Sequence, residues 1–158
     1  MKKFALLAAG IFELLCGDTA RAEGLCSTKE AVIFNCEFSR STSSLCESSD
    51  GSVIYRAGLR GKVRMELSSK DSKTKFYLSS RPLVGGGEVH VRFENDGYVY
   101  YLFDRMVLAR DESDSSAGVI AFRKGRKVFD RRCDNDASVR QRGYEVLPRE
   151  DFRDIGAK

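Results

Sequence analysis

Polar and apolar positions alternate with a period of two over much of this chain. Val32, Phe34, Cys36 and Phe38 are separated by single residues, Asn35 and Glu37 among them. Val89, Val91 and Phe93 repeat the pattern, interleaved with His90, Arg92 and Glu94. Successive side chains of a strand point to opposite faces, so this spacing predicts half-buried strands. Further runs rich in β-branched and aromatic residues lie at 52–56, 62–67, 74–79, 97–103, 105–109, 117–123 and 127–130. Between them fall turn-forming clusters: Asp50-Gly51, Gly85-Gly86-Gly87, Asn95-Asp96-Gly97 and Lys124-Gly125-Arg126. Asn95-Asp96-Gly97 is the strongest hairpin signal, because these residues accept positive φ at little cost. About eight to ten short strands with tight turns predict an all-β fold, an antiparallel sandwich or small barrel. No helical period is sustained. Residues 149–158 read as a frayed helix or disordered end, and 111–116 as a polar loop.

The first residues break the alternation. Lys2 and Lys3 precede an apolar run from Phe4 to Phe12, and Ala20 and Ala22 flank Arg21. A charged start, a short apolar run and a small-x-small site form the pattern of a cleavable secretory signal peptide, here over residues 1–22. The run is interrupted by Glu13 and falls short of the roughly 20 apolar residues that span a bilayer. Lipid attachment at Cys16 would call for Leu three residues earlier and a small residue just before it, where Glu13 and Leu15 stand. Cleavage after Ala22 leaves a single domain over 23–158, with no transmembrane segment and a periplasmic or secreted location.

Export changes the meaning of the cysteines. Cys16 leaves with the signal, and Cys26, Cys36, Cys46 and Cys133 remain, an even set in an oxidising compartment. Two disulfides are expected, and three connectivities stay open. In each of them Cys133 pairs with one of the three early cysteines. The resulting bridge closes about 90–110 residues and is worth up to roughly 4–5 kcal/mol in the chain-entropy account. Metal ligation is disfavoured, since the chain has no C-x-x-C pair and one histidine. No cofactor is expected.

Catalytic groups are sparse. His90 lies in an alternating strand run, where a histidine is more often solvent-facing or hydrogen-bonded than a base. The chain has no G-x-S-x-G elbow, and Ser69 and Ser72 sit near lysines in a polar turn, where serines ordinarily form the turn itself. The acidic groups Asp111-Glu112-Ser113-Asp114 and Asp134-Asn135-Asp136 lack the spacing of a calcium loop and read as solvated loops.

Two features suit binding. The run 97–103 is apolar on both faces, as a central strand with core on each side would be. It also offers Tyr98 and Tyr100 as a possible outer aromatic surface, and tyrosine gives large contact area at small entropic cost. Arg123, Lys124, Arg126 and Lys127, followed by Arg131 and Arg132, crowd one predicted hairpin. At a turn tip such charges guard a strand edge, or steer an anionic partner such as a phosphorylated envelope glycan, an acidic headgroup or an acidic protein face. The whole chain carries 27 Lys+Arg against 23 Asp+Glu, a balance that argues against nucleic acid.

The segments Cys26-Ser27, Phe34-Asn35-Cys36, Ser44-Leu45-Cys46 and Tyr55-Arg56, with Gly58 and the late Cys133, resemble a group of small exported bacterial proteins of unknown function. In size, export, disulfides and strand content the chain is also similar to the β-barrel lysozyme inhibitors of bacterial envelopes. Their inhibitory turn has an aromatic partner that Ser115-Ser116-Ala117-Gly118-Val119 lacks, so no inhibitory residue is transferred. The resemblance implies location and fold rather than activity. The sequence therefore points to an exported, non-enzymatic binding protein of the inhibitor or toxin-immunity type, with a protein or anionic envelope partner. A small envelope hydrolase using Ser or carboxylate groups, and a structural envelope component, are the alternatives.

Overall fold

The computed structural model describes residues 22–109 and 112–157; the signal peptide expected over 1–22 lies outside the described residues except for Ala22. Among the described residues, nine strands form two antiparallel meanders. The first sheet runs β1 (Ala31–Phe38), β2 (Ser41–Glu47), β3 (Val53–Leu59), β4 (Lys62–Ser68). The second runs β5 (Tyr77–Leu83), β6 (Gly86–Asn95), β7 (Tyr98–Ala109), β8 (Glu112–Arg123), β9 (Arg126–Arg132). The two sheets do not close into a barrel. They pack face to face through Ile33, Phe34, Leu45 and Tyr55 on one side and Val91, Phe93, Leu102 and Val119 on the other. The alternation at 32–38 and 89–93 is this interface.

A described segment packs on each outer face, residues before β1 on the first sheet and residues beyond Leu147 on the second. Cys26 and Cys46 are bonded, which fastens the N-terminal segment over the first sheet. There Arg56 holds the Glu30 carboxylate through two guanidinium nitrogens, at 2.7 and 3.0 Å. Cys36 and Cys133 form the long-range bridge, with a sequence separation of 97, and tie the end of β9 to β1. Past that bridge the chain follows the open edge of β1. The backbone N–H groups of Asp134 and Arg140 donate to the carbonyls of Glu37 and Ile33. Asn135 accepts from the Glu37 N–H and donates to the Asn35 carbonyl, so the 134–136 cluster is a clamp rather than a solvated loop. A six-residue helix, α1 (Gln141–Val146), follows, and Val139 and Leu147 around it join the core.

The C-terminal stretch is neither a helix nor a loose end. Residues 148–150 pair with the free edge of β5, where the Leu78 N–H donates to Pro148 and the Glu150 N–H donates to Leu78. Beyond them Phe152 and Ile155 cross the outer face of the second sheet. Ile155 is buried against Tyr101, Phe103 and Ile120 in a second core. That face is apolar along β7 and β8, so an extended strap that buries it outcompetes a short, isolated helix. The polar loop expected at 111–116 is also mostly strand: Ser113 through Ser116 pair with Leu108 through Arg105.

Candidate functional site

The N-terminal and C-terminal segments leave one end of the sandwich open. There the two sheets diverge around a cleft of about 490 Å³. Its walls come from the flanks of four turns: Phe38 and Ser41 of β1–β2, Ala57 and Met65 of β3–β4, Tyr98 and Tyr100 after β6, and Val128 and Phe129 of β9. The two-residue turns Asp96-Gly97 and Lys124-Gly125 hold positive φ at both positions (49° and 76°, 49° and 74°). That is the twist-matched hairpin geometry, and it aims β7 and β9 at the cleft. In β9 the register skips Val128, because Ala121 faces Phe129 while Phe122 faces Lys127. A bulge of this kind brings neighbouring side chains to one face, and Val128 and Phe129 both line the cleft.

Behind the lining, Phe93 stacks on Tyr100 with ring centroids 5.0 Å apart and lies 4.5 Å from Tyr55. The Tyr55 hydroxyl shares a hydrogen bond of 3.0 Å with Ser43. Burial holds the Tyr55 phenol protonated, pushing its pKa up to about 12, and burial likewise raises that of Tyr100. The lining contains no carboxylate, histidine, cysteine or amine. The polar groups of this lining are the hydroxyls of Ser41, Thr42, Ser43, Tyr55, Tyr98 and Tyr100.

Tyr98 and Tyr100 therefore do not stand on the outer face. They point between the sheets, while Tyr101 and Phe103 take the outer side and are buried under the strap. Of the basic candidates, Arg123 stands beside the cleft, on its lining residue Tyr98. Its guanidinium lies 4.9 Å from the Tyr98 ring centroid and donates to the phenol oxygen. Lys124 and Arg126 are exposed near the β8–β9 turn, and neither forms an ion pair among the described residues. Lys127 turns the other way, to Asp130 at 2.7 Å and the Gly156 carbonyl at 3.4 Å, and belongs to the strap. Arg131 covers Phe38 at 4.8 Å. A second basic group surrounds the β1–β2 and β3–β4 turns: Arg40, Arg60, Lys62 and Arg64 frame a neighbouring depression.

No family model, curated protein or solved structure matches the chain. Sequence reasoning missed Phe129, Val128 and the cations at 40 and 60–64. The one available signal was the apolar pair Val128-Phe129 inside an otherwise charged hairpin arm.

The second cluster of note lies beneath the strap. Glu88 and His90 are fully buried on the outer face of β6. Glu88 accepts from Arg81 at 2.8 Å and from the His90 ring Nε2 at 2.7 Å. The Phe152 ring of the strap lies tilted against His90, with centroids 4.5 Å apart, and under the Arg81 guanidinium. His90 is thus a hydrogen-bonded core residue, one of the two ordinary roles expected for it. Burial lowers its pKa, opposed by the bond to Glu88, while Arg81 and Asp154 face it with opposite charge effects. Its buried Nδ1 has no hydrogen-bond partner, as suits a neutral ring that donates through Nε2. The unfolded chain takes up this proton near its ordinary value of about 6.5 and the folded chain resists it. The stability linked to His90 is full above that pH and is lost as pH falls, at no more than about 1.4 kcal/mol per unit. Urea midpoints from about pH 7.5 down to about pH 5 are expected to decline less steeply in His90→Phe; identical slopes would acquit the ring.

A polar cavity of about 460 Å³ lies near Cys133, lined among others by Asp104, Ser116, Arg132 and Asp136. Burial chiefly, and Asp136 secondarily, raise the Asp104 pKa, while the Val139 N–H donates to it. The Ser116 hydroxyl is buried without a partner. Cys26, Glu30 and Cys46 also bring potential ligand atoms together. Their sulfurs are bonded to each other and Glu30 is taken by Arg56, so the group serves the fold.

Proposed function

We propose that the chain is an exported, non-enzymatic binding protein that acts outside the reducing cytosol and holds its partner at the open end of the sandwich. The supporting observation is the union there of an aromatic cleft with exposed cations that no carboxylate pairs with among the described residues. A rigid disulfide-bonded scaffold presenting loops at one end suits an inhibitor or immunity role, in which a partner docks without chemistry. Two formed disulfides, and the lack among the described residues of a helix able to cross a membrane, agree with a periplasmic or secreted location.

The test uses the oxidised domain immobilised and challenged with envelope extract. Material retained by the parent domain and released by salt is expected to be lost from Arg123→Glu/Arg126→Glu and from Phe129→Asp. Equal retention by all three would place the site elsewhere. The hydrolase alternative draws support from the cavity that Asp104 and Ser116 both line. It predicts turnover of envelope glycan or ester substrates that Asp104→Asn abolishes, and no turnover by the parent domain ends it.

A further inference from the structure

Resting on that binding reading, we propose that the cleft receives the alkyl chain of a single-chain anionic amphiphile, with its acidic head held by the cations at the mouth. The argument begins at the floor. Tyr55, the most buried polar side chain there, has already spent its hydroxyl on Ser43. The rings of Tyr55 and Tyr100 line the cleft, backed by the buried ring of Phe93. A sugar or nucleotide would find few free partners for its own polar groups, and burying them unpaired is unfavourable. A methylene chain brings no such demand.

Size and exposure agree. At about 490 Å³ the cleft falls in the range of small-molecule sites. Val128 and Phe129 stay 54% and 39% exposed on an edge strand. The bulge thus holds apolar surface against water where an occupant would cover it.

The mouth supplies the sign of the charge. Arg123 is anchored on Tyr98 and Arg131 on Phe38, both at the cleft wall. Arg40, Arg60, Lys62 and Arg64 stand beside the adjoining turns. None of these six pairs with a carboxylate among the described residues. Clustered like charges without counterions attract an anion, and a guanidinium offers a fork for carboxylate, sulfate or phosphate oxygens.

The test is calorimetric titration of the oxidised domain with octanoate and decanoate, kept below micelle formation, and with octyl glucoside as the neutral head. Decanoate is expected to bind about 15-fold more tightly than octanoate, since each buried methylene is worth about 0.8 kcal/mol. Octanoate is expected to exceed octyl glucoside at least tenfold in low salt, and to lose that advantage in high salt. Phe129→Asp and Ala57→Phe should abolish binding of both alkanoates. Arg123→Glu/Arg131→Glu should remove only the preference for the acidic head. Equal affinity for octanoate and octyl glucoside overturns the anionic head and leaves the cleft as the site. Absence of alkanoate binding overturns the inference, and it leaves the binding reading intact if Phe129→Asp still releases the envelope partner. Binding confined to vesicles of anionic phospholipid would mean a membrane surface instead of a single chain. Alkanoate affinity unchanged in every cleft variant would overturn the cleft itself.

Discussion

Removing the bridge between Cys36 and Cys133 is expected to cause the largest single loss of stability. The loop it closes has a sequence separation of 97, against 20 for Cys26–Cys46. Chain entropy alone puts the two losses at about 4.7 and about 3.3 kcal/mol. Alanine pairs are the suitable replacements, because Cys36 is fully buried and a serine there would add an unpaired hydroxyl. Urea midpoints are expected to fall in the order parent, Cys26→Ala/Cys46→Ala, Cys36→Ala/Cys133→Ala. The reverse order would show that local packing, and not loop closure, sets the value of these bonds. There is a functional consequence as well. Phe38 meets Phe129 edge-on at 6.5 Å just beyond the long bridge, so the bridge also holds β9 against β1 at the cleft wall. Any pairing of four would have tied the late cysteine back to the early part of the chain, but only the pairing with Cys36 fastens β9 to β1.

That bridge was legible because its logic is arithmetic; other features were legible only where polarity follows face. Strands β1 and β6 alternate cleanly because their inner faces meet a wholly apolar partner sheet. Strand β2 escaped notice because Ser43 and Ser44 stand where apolar residues would give it away. Both are buried, with Ser43 bonded to Tyr55, and Ser44 bonded to Asn35 and to the Leu25 N–H. Local polarity cannot forecast hydrogen bonds to partners 9 to 19 residues distant. The turn at Arg60-Gly61 was missed for a related reason: Arg60 adopts a φ of 51° without the Asn or Asp that usually signals one.

The site was legible in its parts and not in its assembly. Tyr98, Tyr100 and Arg123 were singled out by composition, and they do meet. Which face the tyrosines take depends on the strap, which claims the outer side through Phe152 and Ile155. Nothing local to 97–103 distinguishes two apolar faces. The cleft itself exists because the sheets part at one end, a non-local property of register and bulges such as the skip at Val128. The cations at 40 and 60–64 are separated in sequence and become one patch only through the β1–β2 and β3–β4 turns.

The strap leads to the second large effect. Arg81→Met is expected to destabilise the domain by about 3 kcal/mol, the lower end of the loss seen when one member of a buried ion pair is removed. The lower end applies because the Arg81 side chain is 36% exposed and solvent already screens part of the interaction, whereas Glu88 is fully enclosed. Without Arg81, Glu88 keeps only His90 as a partner, and Phe152 loses the guanidinium above its ring. The double variant Arg81→Met/Glu88→Gln should recover much of the loss, because both charges leave together while the new amide oxygen can still accept from His90 Nε2. Hydrogen exchange gives the spatial readout. The amide of Glu150, which donates to Leu78, should lose protection in Arg81→Met before the amides of β7 do. If the double variant proves as unstable as the single one, the cost lies in lost packing of the arginine stem. If Glu150 and β7 lose protection together, the strap is no separate unit and the outer face of the second sheet unfolds with its core.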